Sequence, residues 1–153
     1  MDKDKSINIL NTLIEINNDR IAGYETALSE TEEEDLQVLF SQFGQTSKKF
    51  KLELSAEVGQ LDGIPATGTK TTGKVFRAWM GFKTILTGHH SRPILNSCEL
   101  GEDEVVEAYD NALTNHLEDL SEEQQIMLNA QYALIKTEFD QIKSKRDSVA
   151  EQK

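Results

Sequence analysis

The chain has 153 residues, 37% of them hydrophobic and 28% charged, which is typical of one globular domain over residues 1–153 and excludes a largely disordered chain. Its formal net charge of −11 argues against a nucleic-acid partner, because binding to phosphates requires a basic surface. One cysteine, Cys98, excludes an internal disulfide, and without a signal-like segment or a run of about 18 apolar residues we expect a cytoplasmic protein that does not span a membrane.

Two amphipathic stretches in the first half of the sequence predict two long helices. The first extends over about Ser6–Leu28, with apolar residues spaced by threes and fours. Thr31 and Glu34 then have the spacing of a capping box. The second helix carries its apolar stripe over Leu36–Leu61, and Gly63 ends it because glycine readily adopts left-handed backbone.

A long connection separates these helices from a third. Ile64–Gly73 contains Pro65 and four threonines and is typical of a loop. Lys74–Leu86 is a shorter amphipathic segment that predicts an extra short helix. Pro93 then begins the third long helix, since its fixed φ suits a first turn, and that helix ends near Asn115.

The last helix begins at a second capping-box pattern, Ser121 with Gln124. We expect residues 147–153 to fray, and no segment alternates as a strand would. The pattern therefore predicts an all-α, ferritin-like four-helix bundle with a long crossover that contains a short helix between the second and third long helices. The apolar stripe of the last helix comprises Met127, Leu128, Leu134, Ile135, Phe139, Ile142 and Val149.

The two halves of the chain resemble each other. Tyr24–Leu28 in the first helix and Tyr109–Leu113 in the third share the order tyrosine, acidic residue, polar residue, alanine, leucine. This similarity indicates either a duplicated helix pair or a chance match between two amphipathic helices. A duplicated pair supports the ferritin-like prediction.

Three segments also resemble a known family: Ile14–Tyr24, Trp79–Gly88 and Cys98–Tyr109. Together they are similar to a bacterial family of ferritin-like four-helix-bundle proteins that is classed as a domain of unknown function. The resemblance covers about residues 9–143. It implies the fold and a bacterial source, and it implies no activity.

The ligand pattern of a ferritin-like di-iron site is absent from the sequence. Such a site takes a glutamate from each of two helices and a Glu-x-x-His pair from each of the other two. The three histidines, His89, His90 and His116, do not follow a glutamate at that spacing, and none falls on the second or fourth long helix. We therefore expect no di-iron cofactor and no enzymatic activity.

Polar residues nevertheless occupy inner positions, and a buried carboxylate is costly unless it is paired or ligated. One interpretation is an atypical carboxylate site for iron or another divalent metal, formed by Glu99, Glu102 and Glu138. The other is a hydrogen-bonded polar layer in the core, with the Tyr24 and Tyr109 hydroxyls as partners, or exposure at a loose seam. The inner polar positions are Asn17, Ser47, Glu53, Glu102, Gln131 and Glu138.

The short segment of the crossover is rich in large apolar side chains, among them Phe76, Trp79 and Met80. Such a surface packs across the bundle or forms a subunit interface. We expect a non-enzymatic bundle that acts through self-association, as a homodimer, or through a protein partner. A metal-binding protein with the atypical carboxylate site is the alternative, and an apolar ligand between the helices is a third idea.

Overall fold

The computed structural model describes residues 2–69 and 91–149, and within them all regular structure is helical. The four long helices are α1 (Lys3–Glu30), α2 (Glu34–Gln60), α3 (Ser91–Asn115) and α4 (Glu122–Ser148), with a single 3-10 turn at Leu117–Asp119. Within these residues, the prediction of an all-α fold with four long helices is confirmed. The predicted short helix, Lys74–Leu86, lies outside the described residues.

The helix ends test the two capping predictions. The box at Thr31 and Glu34 was wrong, because α2 begins at Glu34 itself and its N-cap, Glu33, makes no side-chain cap. The Thr31 hydroxyl instead accepts from the Glu33 amide at 3.2 Å. The box at Ser121 and Gln124 is confirmed in both directions, with distances of 3.1 and 2.9 Å.

Two further helix ends differ from the prediction in detail. Pro93 is the third residue of α3 rather than its first, still within the first turn, where the missing amide has no intrahelical acceptor. After α2, Asp62 and not Gly63 has the positive φ, 62°. Gly63 lies in close contact with α1, because a Cβ there would lie 2.9 Å from Ile7 Cδ1.

Side-chain contacts show the direction of α3 relative to α1. The Ser6 hydroxyl, near the start of α1, donates to the Asp119 carbonyl just beyond α3. Tyr24, near the end of α1, donates to Glu102 in the first half of α3. The two helices are therefore antiparallel, and each also packs on its sequence neighbour, α1 on α2 and α3 on α4.

Helices α2 and α4 are antiparallel as well, and they meet mainly through side chains. Lys145 near the end of α4 pairs with Asp35 near the start of α2, and Gln124 at the start of α4 donates to Glu57 near the end of α2. Since α1 and α2 run in opposite directions, α2 and α3 run in the same direction. Residues 61–90 join these two helices.

The core consists of apolar side chains from all four helices, including the fully buried Leu10, Phe40, Leu95 and Leu128, and burial of such a side chain contributes about 1.5–3 kcal/mol. Cys98 is buried among them. Leu134 departs from the predicted stripe of α4 and is 41% exposed. Leu134 lies next to Ala133 on the outer side of α4. It is rotated about 100° around the helix from the buried Ile135.

No helix among the described residues is both long and apolar enough to cross a membrane.

Candidate functional site

The centre of the bundle holds a fully buried arginine, Arg20 of α1. Its guanidinium makes a bidentate contact with Glu102, Nε to Oε1 and Nη2 to Oε2, both 2.8 Å. Nη2 also donates to Glu138 Oε1 at 2.8 Å. Nη1 donates to the Phe43 carbonyl and the Ser47 hydroxyl, both at 3.1 Å. These contacts use all five N–H donors of a guanidinium.

The two carboxylates are satisfied by further donors. Glu102 Oε2 accepts from the Tyr24 hydroxyl at 2.7 Å, and Glu138 Oε2 accepts from the Thr46 hydroxyl at 2.8 Å. Each of the four carboxylate oxygens therefore has a donor. Because the donors and acceptors come from α1, α2, α3 and α4, this polar layer ties the four helices together at one level.

A second chain of hydrogen bonds runs beside the first. Asn17 Nδ2 donates to the Tyr109 hydroxyl at 2.9 Å, and that hydroxyl donates to Gln131 Oε1 at 2.7 Å. Gln131 Nε2 then donates to the half-buried Glu53 at 3.0 Å. Burial raises the pKa of Tyr109 above its ordinary value, so its hydroxyl keeps its proton and remains a donor.

The charges of the polar layer are one arginine and two glutamates. Burial alone lowers the pKa of Arg20, but Glu102, Tyr24 and Glu138 together outweigh that effect, so the pKa is raised overall. Burial, reinforced by Glu102, raises the pKa of Tyr24 well above its ordinary value. Burial also raises the pKa of Glu138, although Arg20 opposes that effect. The fold therefore disfavours the ionised form of Glu138.

The structure brings together two of the three residues considered as metal ligands. Glu102 and Glu138 both bind Arg20, whereas the Glu99 carboxylate pairs with Arg146 of α4. The guanidinium occupies three of the four oxygens of Glu102 and Glu138, so these residues do not fit a divalent metal while Arg20 lies between them. Among residues 2–69 and 91–149 no group of three His, Cys, Asp or Glu side chains could hold a metal ion.

The remaining predicted positions belong either to the polar layer or to the expected subunit interface. The expectation of a polar layer with Tyr24 and Tyr109 hydroxyls matches the observed contacts. The interface candidates Phe76, Trp79 and Met80 lie outside the described residues.

Sequence reasoning missed Arg20, the residue on which the polar layer depends. A signal for it was present, because the buried positions of α1 in this region follow steps of four and three that include it. A lone arginine on an inner stripe, with acidic residues on the inner stripes of two other helices, indicates a buried ion pair. These positions are Leu13, Asn17, Arg20, Tyr24 and Ala27.

Helix α4 also presents a row of polar residues toward α2, spaced by seven. Such a repeat keeps one side of a helix facing its neighbour over many turns. The contact between these two helices is therefore polar along its length. The pairs are Gln124 with Glu57, Gln131 with Glu53, Glu138 with Thr46, and Lys145 with Asp35.

Comparison with family models matches residues 5–115 to a domain of unknown function, DUF2383. The matched residues include nearly all of α1 and the whole of α2 and α3, and thus Arg20 and Glu102, whereas Glu138 on α4 lies beyond them. Comparison with curated proteins gave no match.

Proposed function

The chain belongs to the DUF2383 family, and we propose that it is a non-enzymatic, ferritin-like helical bundle that acts through association with itself or with another protein. Helices α1 and α3 are antiparallel, and α2 and α3 run in the same direction. This arrangement supports the ferritin-like assignment. The bacterial source and the cytoplasmic location remain predictions from the sequence.

One observation carries this proposal: the guanidinium of Arg20 has all five donors bound inside the protein, and its two carboxylate partners are satisfied as well. Catalytic and metal-binding groups must exchange partners with a ligand, which a fully paired buried network resists, since breaking a buried pair costs about 3–5 kcal/mol. In the described part of the chain, the centre of the bundle therefore supports packing, and we assign function to the surface.

The first test is to purify the chain without chelators, measure bound metals by mass spectrometry and record the native mass of the same preparation. We expect well below one equivalent of metal per chain, and a mass above that of one chain or a copurifying protein partner. One or more equivalents of iron, manganese or zinc would contradict the proposal.

A metal-binding function is the second candidate, and one observation favours it. Glu102 and Glu138, from different helices, both lie 2.8 Å from the same nitrogen, Arg20 Nη2. Two carboxylates that converge on one cation could bind another cation if the arginine side chain left the layer. Iron would be the expected metal for such a bundle, with manganese or zinc as competitors.

Titration calorimetry with Fe²⁺, Mn²⁺ and Zn²⁺ separates the two candidates. If Arg20 is the resident cation, the native chain gives no binding heat, whereas Arg20→Ala gains a site that Glu138→Gln then removes. Arg146→Ala is the matched control, because it removes an arginine–glutamate pair that lies nearer the surface. Binding by the native chain that is lost in Glu138→Gln would instead establish the metal function.

A further inference from the structure

A cavity of about 390 Å³ lies at the end of the bundle where α1 begins and α3 ends. The first turns of α1 form one wall, and the end of α3 with the 3-10 turn that follows it forms the other. A smaller cavity of about 70 Å³ adjoins it along the groove between α1 and α3, since Ile9 and His116 line both. The larger cavity has a volume at the lower end of the range for small-ligand sites, about 300–1,000 Å³.

Asp119 lies in the wall of the larger cavity and is only 8% exposed. Its backbone is held in place, because the Ser6 hydroxyl donates to its carbonyl and its own amide donates to the His116 carbonyl at 3.1 Å. Its carboxylate, in contrast, has no hydrogen-bond or ion-pair partner among residues 2–69 and 91–149. A buried carboxylate without a partner is costly, so an acid that the fold positions but does not pair indicates a cationic ligand.

The electrostatics of the cavity also favour a cation. Asn115 is the last residue of α3 and lines the cavity, and the C-terminal end of a helix carries a partial negative charge. The last turn of α3 contains no basic residue that would offset this charge. Glu118 adds a second carboxylate to the lining, whereas Lys5 is the opposing charge, and its side chain is exposed.

The side chains of the cavity suit an ammonium group better than a metal ion. In the part of the chain that the structure describes, no group of three His, Cys, Asp or Glu side chains could hold a metal. An ammonium group instead has three N–H donors and needs only hydrogen-bond acceptors. The carboxylate of Asp119 supplies two, and Asn115 supplies its Oδ1, because its Nδ2 already donates to Asn111 Oδ1 at 2.7 Å.

The adjoining smaller cavity provides an apolar surface beside these acceptors. It is lined in part by Ile9, Leu13, Ala108 and Ala112, and a short alkyl chain that covers them is removed from water. We infer that the two cavities bind a small aliphatic amine, with its ammonium group at Asp119 and its alkyl chain between Ile9 and Ala112. This inference goes beyond the proposed function, because a bundle that binds no amine can still associate with a protein partner.

An NMR titration of the isotope-labelled full chain with n-butylamine at neutral pH tests the inference. We expect saturable shifts of the amide signals of Ile9 and Asn115, with a Kd on the order of 0.1 to 1 millimolar for so small a ligand. Two probes of similar size separate charge from shape. The neutral n-butanol and the anionic butanoate are each expected to bind at least tenfold more weakly than the amine.

Asp119→Asn removes the charge of the unpaired carboxylate and keeps its size. This variant is expected to bind n-butylamine at least tenfold more weakly, while circular dichroism and urea unfolding show that it folds. The matched control is Asp110→Asn, an exposed aspartate of α3 that does not line either cavity, and it is expected to retain native affinity. Lys5→Gln removes the opposing cation and is expected to tighten binding several-fold.

A blocked tripeptide, acetyl-Ala-Lys-Ala-amide, distinguishes the two sources of an alkylammonium group. Tighter binding of n-butylamine than of the peptide identifies a free small amine as the ligand. Tighter binding of the peptide identifies the lysine side chain of a protein partner. Either order supports an alkylammonium site, provided that Asp119→Asn weakens the binding.

Three results would overturn the inference. The first is the absence of saturable shifts up to about 10 millimolar n-butylamine, well above the expected Kd. The second is preferential binding of butanoate, which would assign the cavity to an anion at Lys5. The third is unchanged amine affinity in Asp119→Asn. None of them affects the proposed function, which the native mass and the metal content test separately.

Discussion

Arg20 and Glu102 face each other across the α1–α3 interface with two parallel hydrogen bonds of 2.8 Å, and both side chains are fully buried. The bidentate geometry fixes the rotation of both helices, because a guanidinium and a carboxylate match only when they are coplanar. Glu138 and Ser47 extend this constraint to the other two helices. The pair therefore specifies how the four helices are aligned.

Removing the arginine is expected to cost far more than the pair contributes on its own. Arg20→Met leaves Glu102 and Glu138 buried without their cation, and we expect a loss of about 3–5 kcal/mol in the free energy of unfolding, measured by urea denaturation. Replacing both glutamates by leucine in the same variant removes the uncompensated charges and is expected to recover most of that loss. If the free energy of unfolding of Arg20→Met lay within about 1 kcal/mol of that of the native chain, the carboxylates would have found other partners.

The two core tyrosines are expected to differ in their contribution. The Tyr24 hydroxyl donates to a carboxylate, whereas the Tyr109 hydroxyl joins two side-chain amides. Hydrogen bonds to charged groups contribute about 1.5–3 kcal/mol and neutral ones about 1 kcal/mol. Urea unfolding should therefore find Tyr24→Phe less stable than Tyr109→Phe, and the reverse order would contradict this ranking of the two hydroxyls.

The raised pKa of Glu138 makes a prediction about pH. Between the ordinary glutamate pKa of about 4.3 and the higher value in the fold, the folded chain retains a proton that the unfolded chain has lost. The contribution of this carboxyl to stability therefore falls as the pH rises through that interval.

The matched variant is Glu138→Gln, whose amide can still accept from Arg20 and reach Thr46. We expect the stability of the native chain relative to this variant, measured by urea denaturation at a series of pH values, to decrease as the pH rises above the ordinary glutamate pKa. A difference that increases with pH would mean that the fold favours the ionised carboxylate.

Two glycines near the end of α2 provide a contrasting pair. A Cβ at Gly63 would lie 2.9 Å from Ile7 Cδ1 and 3.0 Å from Val58 Cγ1, whereas a Cβ at Gly59 meets nothing within 4 Å. Gly63→Ala is expected to lower the unfolding free energy by about 1–3 kcal/mol. Gly59→Ala lies inside the helix and is expected to raise it by about 0.5–1 kcal/mol. Thermal unfolding of the two variants checks both signs.

Much of the fold could be predicted from sequence because helix formation is a local property. The 3.6-residue period located all four helices within a few residues, and it placed Asn17, Glu102 and Gln131 on inner faces, where they are buried. The terminal details were less predictable. Thr31 is a residue type that often caps helices. However, α2 begins at Glu34, so Glu33 is the N-cap.

The partners within the polar layer depended on tertiary structure. Arg20 and Glu102 are 82 positions apart, and periodicity gives the face of each helix but not its height relative to the next. Glu99 and Glu102 are one turn apart on α3, yet packing directs Glu99 to Arg146 and Glu102 to Arg20. The sequence by itself determined the helices and the polarity of their inner faces, since both depend on neighbouring residues. Only the packing of the four helices decided that an arginine binds the two buried carboxylates, because that depends on the register between distant segments.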